Sequence, residues 1–148
     1  MKKIVFILLC GIVLSSALFA QNRNRRNVAQ QQEAAQQRPA GPQMEFENTV
    51  HDFGTIREEI GRAPAHFYFT NTGSAPVIIL RVGVGCGCTV AQYSREPILP
   101  GQTGRITVEY LTAGRPGAFN RPVTVHTNVP DTIFTLFVRG TITPRQQQ

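Results

Sequence analysis

The chain has 148 residues, 41% of them hydrophobic and 16% charged, the size and balance of one ordinary folded domain with trimmings. Three cysteines without a CxxC spacing exclude a disulfide-dense scaffold and a four-ligand zinc finger. The net charge of +6 raises nucleic-acid binding as a possibility, and its distribution along the chain then argues against it.

Residues 1–20 read as a secretory signal peptide. Lys2 and Lys3 form a positive start, residues 4–14 form an apolar core, and Ser15, Ser16, Ala17 and Ala20 supply small residues near a cut after Ala20. Leu8 and Leu9 stand before Cys10, where a lipidation signal needs small residues, so no lipid anchor is expected. Beyond this segment no apolar run approaches the roughly 18–20 residues of a membrane span, and none is expected after signal removal. Export places the mature protein in the periplasm or outside the cell.

Residues 21–43 hold seven glutamines, four arginines and one larger apolar residue, Val28. Such a stretch buries too little to offset the entropy of ordering, so a disordered Gln/Arg-rich linker is expected, acting as a spacer. Residues 144–148 are a tail of the same kind. Without the first 20 residues the chain carries 13 arginines against nine acids, a charge of +4, of which +3 lies in the linker. The stretch from Met44 onward is therefore almost neutral, and no nucleic-acid partner is expected.

From residue 44 to 143 the texture is alternation broken by Gly, Pro and Asn. Segments 45–48 and 50–56 open the series. Phe67 and Phe69 alternate with polar residues, and Ile78, Leu80, Val82 and Val84 fall on one face of a long strand. Ile106, Val108 and Tyr110, then Val123 and Val125, then Phe134, Leu136 and Val138 continue the pattern. About seven strands at this turn spacing predict an all-β fold, an antiparallel sandwich of two sheets. With no Trp and no widely spaced cysteine pair, an antibody-type core is excluded.

Several short runs carry a resemblance. His51-Asp52-Phe53-Gly54-Thr55-Ile56, Phe67-Tyr68-Phe69-Thr70-Asn71-Thr72-Gly73 and Cys86-Gly87-Cys88-Thr89 stand in order. Pro97-Ile98-Leu99-Pro100-Gly101, Tyr110-Leu111-Thr112, Gly114-Arg115-Pro116-Gly117 and Thr127-Asn128 follow. Together they resemble the domain-of-unknown-function family numbered fifteen seventy-three, found in secreted bacterial proteins, over nearly all of residues 44–143. The resemblance implies an immunoglobulin-like sandwich close to the pilus-chaperone PapD and major sperm protein types. It implies no activity, substrate or catalytic residue.

Cys86 and Cys88 are open to three readings. On an extended strand both would point to one face, as small buried thiols ending a core row. As a disulfide they would need the strand to bend, since two extended residues span roughly 6.6–7.2 Å, at the limit for the bond, and Gly85 and Gly87 supply that freedom. As metal ligands they would suit a soft ion such as Cu(I), with a third ligand from His51, His66 or His126. His66 and His126 alternate with core-facing residues and are expected outward; His51, beside Asp52, is expected in a local turn or side-chain bond.

No GxSxG, HExxH or phosphate-cradling motif occurs, and the acids are scattered, so no enzyme and no cofactor are expected. The expectation is an exported, monomeric binding or scaffold module that takes an envelope protein or peptide by strand addition at a sheet edge or through contacts of its end loops. The alternative is a small redox or copper-handling protein using Cys86 and Cys88. Residues 133–138 are apolar on both faces, with Ile133 and Phe137 on one and Phe134, Leu136 and Val138 on the other. At a sheet edge such a strand would be a docking site; at a sheet centre it would be covered.

Overall fold

The computed structural model describes residues 38–85 and 87–145, so the signal-peptide expectation and the linker expectation over residues 21–37 lie outside the described residues, as does Cys86. The last residues of the expected linker bond to the turn after Asn71: the Gln43 carbonyl accepts the Thr72 N–H at 3.1 Å and the Gly41 carbonyl the Ser74 N–H at 2.9 Å. The chain runs through β1 (Met44–Phe46), β2 (Val50–Arg57), a 3₁₀ turn at Glu58–Ile60, β3 (Arg62–Asn71), β4 (Ile79–Val84), β5 (Thr89–Tyr93), β6 (Thr103–Leu111), β7 (Gly117–Thr127) and β8 (Ile133–Thr143). One sheet has the order β1-β3-β6-β5 and the other β2-β8-β7-β4.

Period-two patterning decides which face of each strand is buried. In β3 the residues Ala63, Ala65, Phe67, Phe69 and Asn71 are buried, with the intervening positions outward or half-buried. They pair with β6, from Arg62↔Leu111 to Thr70↔Thr103, and β6 presents Ile106, Val108 and Tyr110 to the same interior. The second sheet answers with Phe119, Val123 and Val125 from β7 and Leu136, Val138 and Ile142 from β8. Tyr110 and Phe119 stack across the two sheets with centroids 4.0 Å apart and planes within 6°. Such a ring pair adds about 0.5–1.5 kcal/mol beyond its burial, and it bridges the sheets without a covalent pin.

Two rings are seated on glycines of the neighbouring strand. Gly104 lies opposite Phe69, and a Cβ there would overlap the fully buried ring. Gly140 lies opposite Phe119, and a Cβ there would fall 2.9 Å from the Gly54 carbonyl oxygen and 3.2 Å from the ring.

The sandwich matches the expectation in class and departs from it in four details. There are eight strands among the described residues, because Thr89–Tyr93 is a strand whose inward positions, Thr89, Ala91 and Tyr93, give little apolar signal while Val90 faces out. The sheets are not wholly antiparallel. β1 lies on one sheet and β2 on the other, and after this switch β2 runs parallel to β8 from Val50↔Phe137 to Arg57↔Thr143.

The row Ile78, Leu80, Val82, Val84 is also broken. An extra residue at Leu80 interrupts the pairing with β7 between Ile79↔Thr127 and Arg81↔His126, and a bulge of one residue reverses facing. The core row is therefore Val77 and Ile79, then Val82 and Val84, while Leu80 is 62% exposed. Finally, Gly87 and Cys88 form a turn between β4 and β5, so the cysteine run is not extended strand.

Several polar residues, three of them from the quoted motifs, hold turns in place. Asn71, fully buried, donates from Nδ2 to the carbonyls of Ala75 and Ile98, both at 2.8 Å, and accepts the Gly73 N–H at Oδ1, 3.0 Å. Asn128 accepts the Ile78 N–H and donates to the Pro76 carbonyl, closing the neighbouring loop. Asp52 accepts the Gly54 N–H at 2.8 Å and pairs with Arg139 Nε at 2.9 Å. Glu58 accepts the Gly114 N–H at 2.6 Å and the Arg145 N–H at 3.0 Å, joining the 3₁₀ turn to the β6–β7 turn and the end of β8.

These bonds favour the ionised acids. The Asp52 carboxyl is held below its ordinary range by the Gly54 N–H first and Arg139 second. That of Glu58 is held down by the Arg145 and Gly114 N–H groups. A carboxyl lowered in the folded state contributes stability that is full above its unfolded value and is lost as pH falls through the folded one. The melting temperature is therefore expected to stay level from neutral pH down to the ordinary carboxylate range and to drop below it. A D52N/E58Q variant should show a smaller acid drop; an unchanged drop would assign the acid sensitivity to other groups.

Candidate interaction site

The expected docking strand, β8, is central rather than at an edge, with β7 on one side and β2 on the other. The chain order of strands does not set their order in a sheet, and the switch of the first strand brings β2 over to cover β8. Leu136 and Val138 are accordingly buried core residues. Phe137 points outward and is half-buried between Val50 and Pro122, its cross-strand neighbours.

The cover is incomplete. β7 pairs with β8 as far as His126↔Ile133, but β2 begins only at Val50↔Phe137. Among the described residues, Ile133, Phe134, Thr135 and Leu136 thus have a strand on one side alone. The Phe137 N–H donates to the Thr49 carbonyl on the β2 side at 2.8 Å. Since backbone groups of alternate residues point the same way across a strand, the N–H and C=O of Ile133 and Thr135 are aimed at the uncovered side. Pro122 opposite Phe137 agrees with this, because a proline cannot donate to the ladder on the β7 side.

The walls of this reach are apolar. Phe134 meets Phe46 of β1 edge-on with centroids 5.6 Å apart, Ile133 is 60% exposed and Val50 43% exposed. Phe46 also borders a hollow of about 230 Å³ with Glu45, Glu47 and Thr70. Neither Phe46 nor Thr49 carries a signal in the sequence, because their part depends on where the chain changes sheets. The signal for Ile133 and Phe134 was the apolar run itself.

Among the described residues, the other candidates do not gather into a metal-ligand group. Cys86 lies outside the described residues. Cys88 is 5% exposed, sits in the core cluster and is disulfide-bonded, and a sulfur so held offers no thiolate to a metal. His66 is outward and bonds Thr107 Oγ1 at 3.1 Å, and His126 contacts Arg81 at 3.0 Å. His51 is half-buried, edge-on to Phe53 at 4.5 Å and to Phe67 at 6.4 Å; the local turn is made by its neighbour Asp52. Among the described residues no three His, Cys, Asp or Glu side chains are grouped as metal ligands, and no helix is long and apolar enough to cross a membrane.

Two four-stranded sheets face to face, with the first strand divided between them and the last covered by its second half, define an immunoglobulin-like β-sandwich module. The family described as "Protein of unknown function (DUF1573)" matches residues 44–142, and the chain belongs to that family. Among curated proteins none matches it. Similar solved structures include a protein of unknown function from Porphyromonas gingivalis W83, with TM-score 0.59 and 18% identity over 70% of this chain and 47% of that one. The VesB protease of Vibrio cholerae gives TM-score 0.52 and 10% identity over 68% of this chain and 31% of the other. The YadV chaperone gives TM-score 0.46 and 11% identity over 71% and 53%. The chain thus spans about half or less of these structures, and likeness at such identity shows the fold alone.

Proposed function

We propose that the protein is an exported, non-catalytic binding module that takes an extended peptide segment of a cell-envelope partner by strand addition along Ile133–Leu136. The observation that carries this reading is the stretch of β8 lying ahead of the start of β2. Two outward-aimed pairs of N–H and C=O groups, bordered by Phe46, Phe134 and Ile133, meet what an added strand needs: main-chain bonds for affinity and apolar walls for side chains. The role of Asp52, Glu58, Asn71 and Asn128 in turns, rather than around a reacting centre, supports binding over catalysis. Export rests on the Lys2-Lys3 start, the apolar core and the small residues before Gln21.

Thr135→Pro tests the reading. Its N–H faces the open side, so proline removes the donor while leaving the β7 ladder intact, a kind of strand position where proline is tolerated. Seven-residue peptides selected from a displayed random library on the wild-type domain are expected to protect the Thr135 amide from hydrogen exchange. They should bind Thr135→Pro at least about tenfold more weakly, with the melting temperature little changed. Peptides that bind both forms equally, or a library that returns none, would overturn it.

A further inference from the structure

The outer face of the other sheet carries a second set of groups that the strand-addition reading does not use. The register aligns them in two rows. His66, Thr107 and Gln92 lie across β3, β6 and β5 in one row; Tyr68 and Arg105 lie across β3 and β6 in the next. Strands about 4.8 Å apart and same-face residues about 7 Å apart make this array roughly 10 Å by 7 Å. β5 stops at Tyr93↔Ile106, so nothing of β5 pairs beside Arg105, and the step leaves a groove of about 380 Å³ lined by Gln92, Tyr93, Ser94, Arg105 and Thr107.

The chemistry of the groove is uneven in charge. Glu109, further along β6, is taken by Arg62 at 3.0 Å; Glu47 and Glu96 border the site through their N–H groups, on the Tyr68 carbonyl and Ser94 Oγ, but among the described residues no carboxylate lies within ion-pair distance of Arg105. Its guanidinium is a fork of donors matched to a carboxylate. Around it stand short-range partners for hydroxyl groups: the Gln92 amide, the Thr107 hydroxyl, and Ser94, whose Oγ accepts the Glu96 N–H and whose hydrogen stays available to donate. Tyr68, 43% exposed, is the cross-strand partner of Arg105 and carries an aromatic ring at the margin of the groove. The floor is a flat strand face lacking a deep apolar cavity, which disfavours an acyl chain. A planar cation, an aromatic platform and several hydroxyl-bonding groups on about 10 Å of sheet fit a hydroxyl-rich ring that bears an acid.

We infer that this groove is a binding site for a carboxylated saccharide, with Arg105 holding the carboxylate, Tyr68 stacking against the sugar ring, and Gln92, Ser94 and Thr107 bonding its hydroxyls. The site is separate from the uncovered reach of β8, which lies on the other sheet, so the two stand or fall independently.

The test uses the exported protein from residue 21 onward, titrated with a defined oligogalacturonate and followed by backbone amide shifts. The expected result is saturable movement at Tyr68, Gln92 and Arg105. Arg105→Gln should weaken it at least about tenfold, the loss of one forked charge-assisted contact. Tyr68→Ala should weaken it several-fold; Arg105→Gln should leave the melting temperature unchanged because that side chain is exposed, while Tyr68→Ala lowers it modestly because the half-covered ring packs in a cross-strand pair. The methyl-esterified oligomer, which keeps the hydroxyls and loses the charge, should bind as weakly as Arg105→Gln binds the acid. Absence of saturation, equal binding of the ester, full binding by Arg105→Gln, or equal competition by inorganic phosphate at matched ionic strength would each overturn the inference.

Discussion

Replacing Asn71 with aspartate is expected to destabilise the domain by about 3 kcal/mol at neutral pH, although the two side chains have nearly the same shape. The Nδ2 of Asn71 donates to two carbonyls, those of Ala75 and Ile98, in a fully buried position. The substitution puts an oxygen where that donor stood, facing two other oxygens, and an ionised acid there would be both desolvated and repelled. The introduced carboxyl must therefore have a raised pKa in the folded state. Its neutral form, which can donate once, is favoured in acid, so the deficit is greatest above the folded pKa and shrinks as pH falls. The wild type is itself expected to weaken in acid through Asp52 and Glu58, so the quantity to follow is the difference between the two proteins at each pH. Urea midpoints at neutral and acid pH measure it; a deficit that stays constant or widens in acid would contradict the bonding described for Asn71.

Gly104→Ala is expected to cost about 2 kcal/mol, against the usual direction for glycine in a strand, where a side chain normally helps. The new methyl would occupy the space of the Phe69 ring, which is fully buried and has nowhere equivalent to turn. Phe69→Ala alone should cost about 3–5 kcal/mol through the cavity it leaves. In the double variant the methyl enters that cavity, so Gly104→Ala should become neutral or mildly stabilising. A coupling of at least about 1 kcal/mol between the two positions follows, well above the error of a cycle. Additive costs would mean that the ring is not seated on Gly104.

The inward faces of β3, β6 and the second half of β7 were legible because apolar and polar residues alternate there, and Phe134, Leu136 and Val138 of β8 because they keep the same period, although Ile133 and Phe137 between them are apolar too. β5 was not, since its inward Thr89 and Ala91 look like loop residues and its one aliphatic residue of any size, Val90, faces water. The bulge at Leu80 was equally hidden: Ile78, Leu80, Val82 and Val84 are all apolar, and no residue marks where the extra one sits. Period-two reasoning carries facing along a strand only until the register slips.

Neighbour relations between strands are the part that local pattern does not encode. An apolar stretch such as 133–138 suits an edge or a centre, and β8 is both, covered from Phe137 onward and open before it. Asn71 and Asn128 stood out in the quoted motifs, but their partners are up to 27 and 52 residues away. The association of Tyr68, Arg105 and Gln92 likewise depends on two separate registers and on where β5 stops. The groove has no linear signature for that reason.

The parallel contact of β2 with β8 has a mechanical consequence. The chain enters β2 at the Val50↔Phe137 level and leaves β8 past Thr143, beside Arg57, so the two exits lie at opposite ends of one ladder. Tension between the segments before Val50 and after Thr143 acts along the strands and loads their cross-links together, in shear, instead of opening them one at a time as in peeling a hairpin.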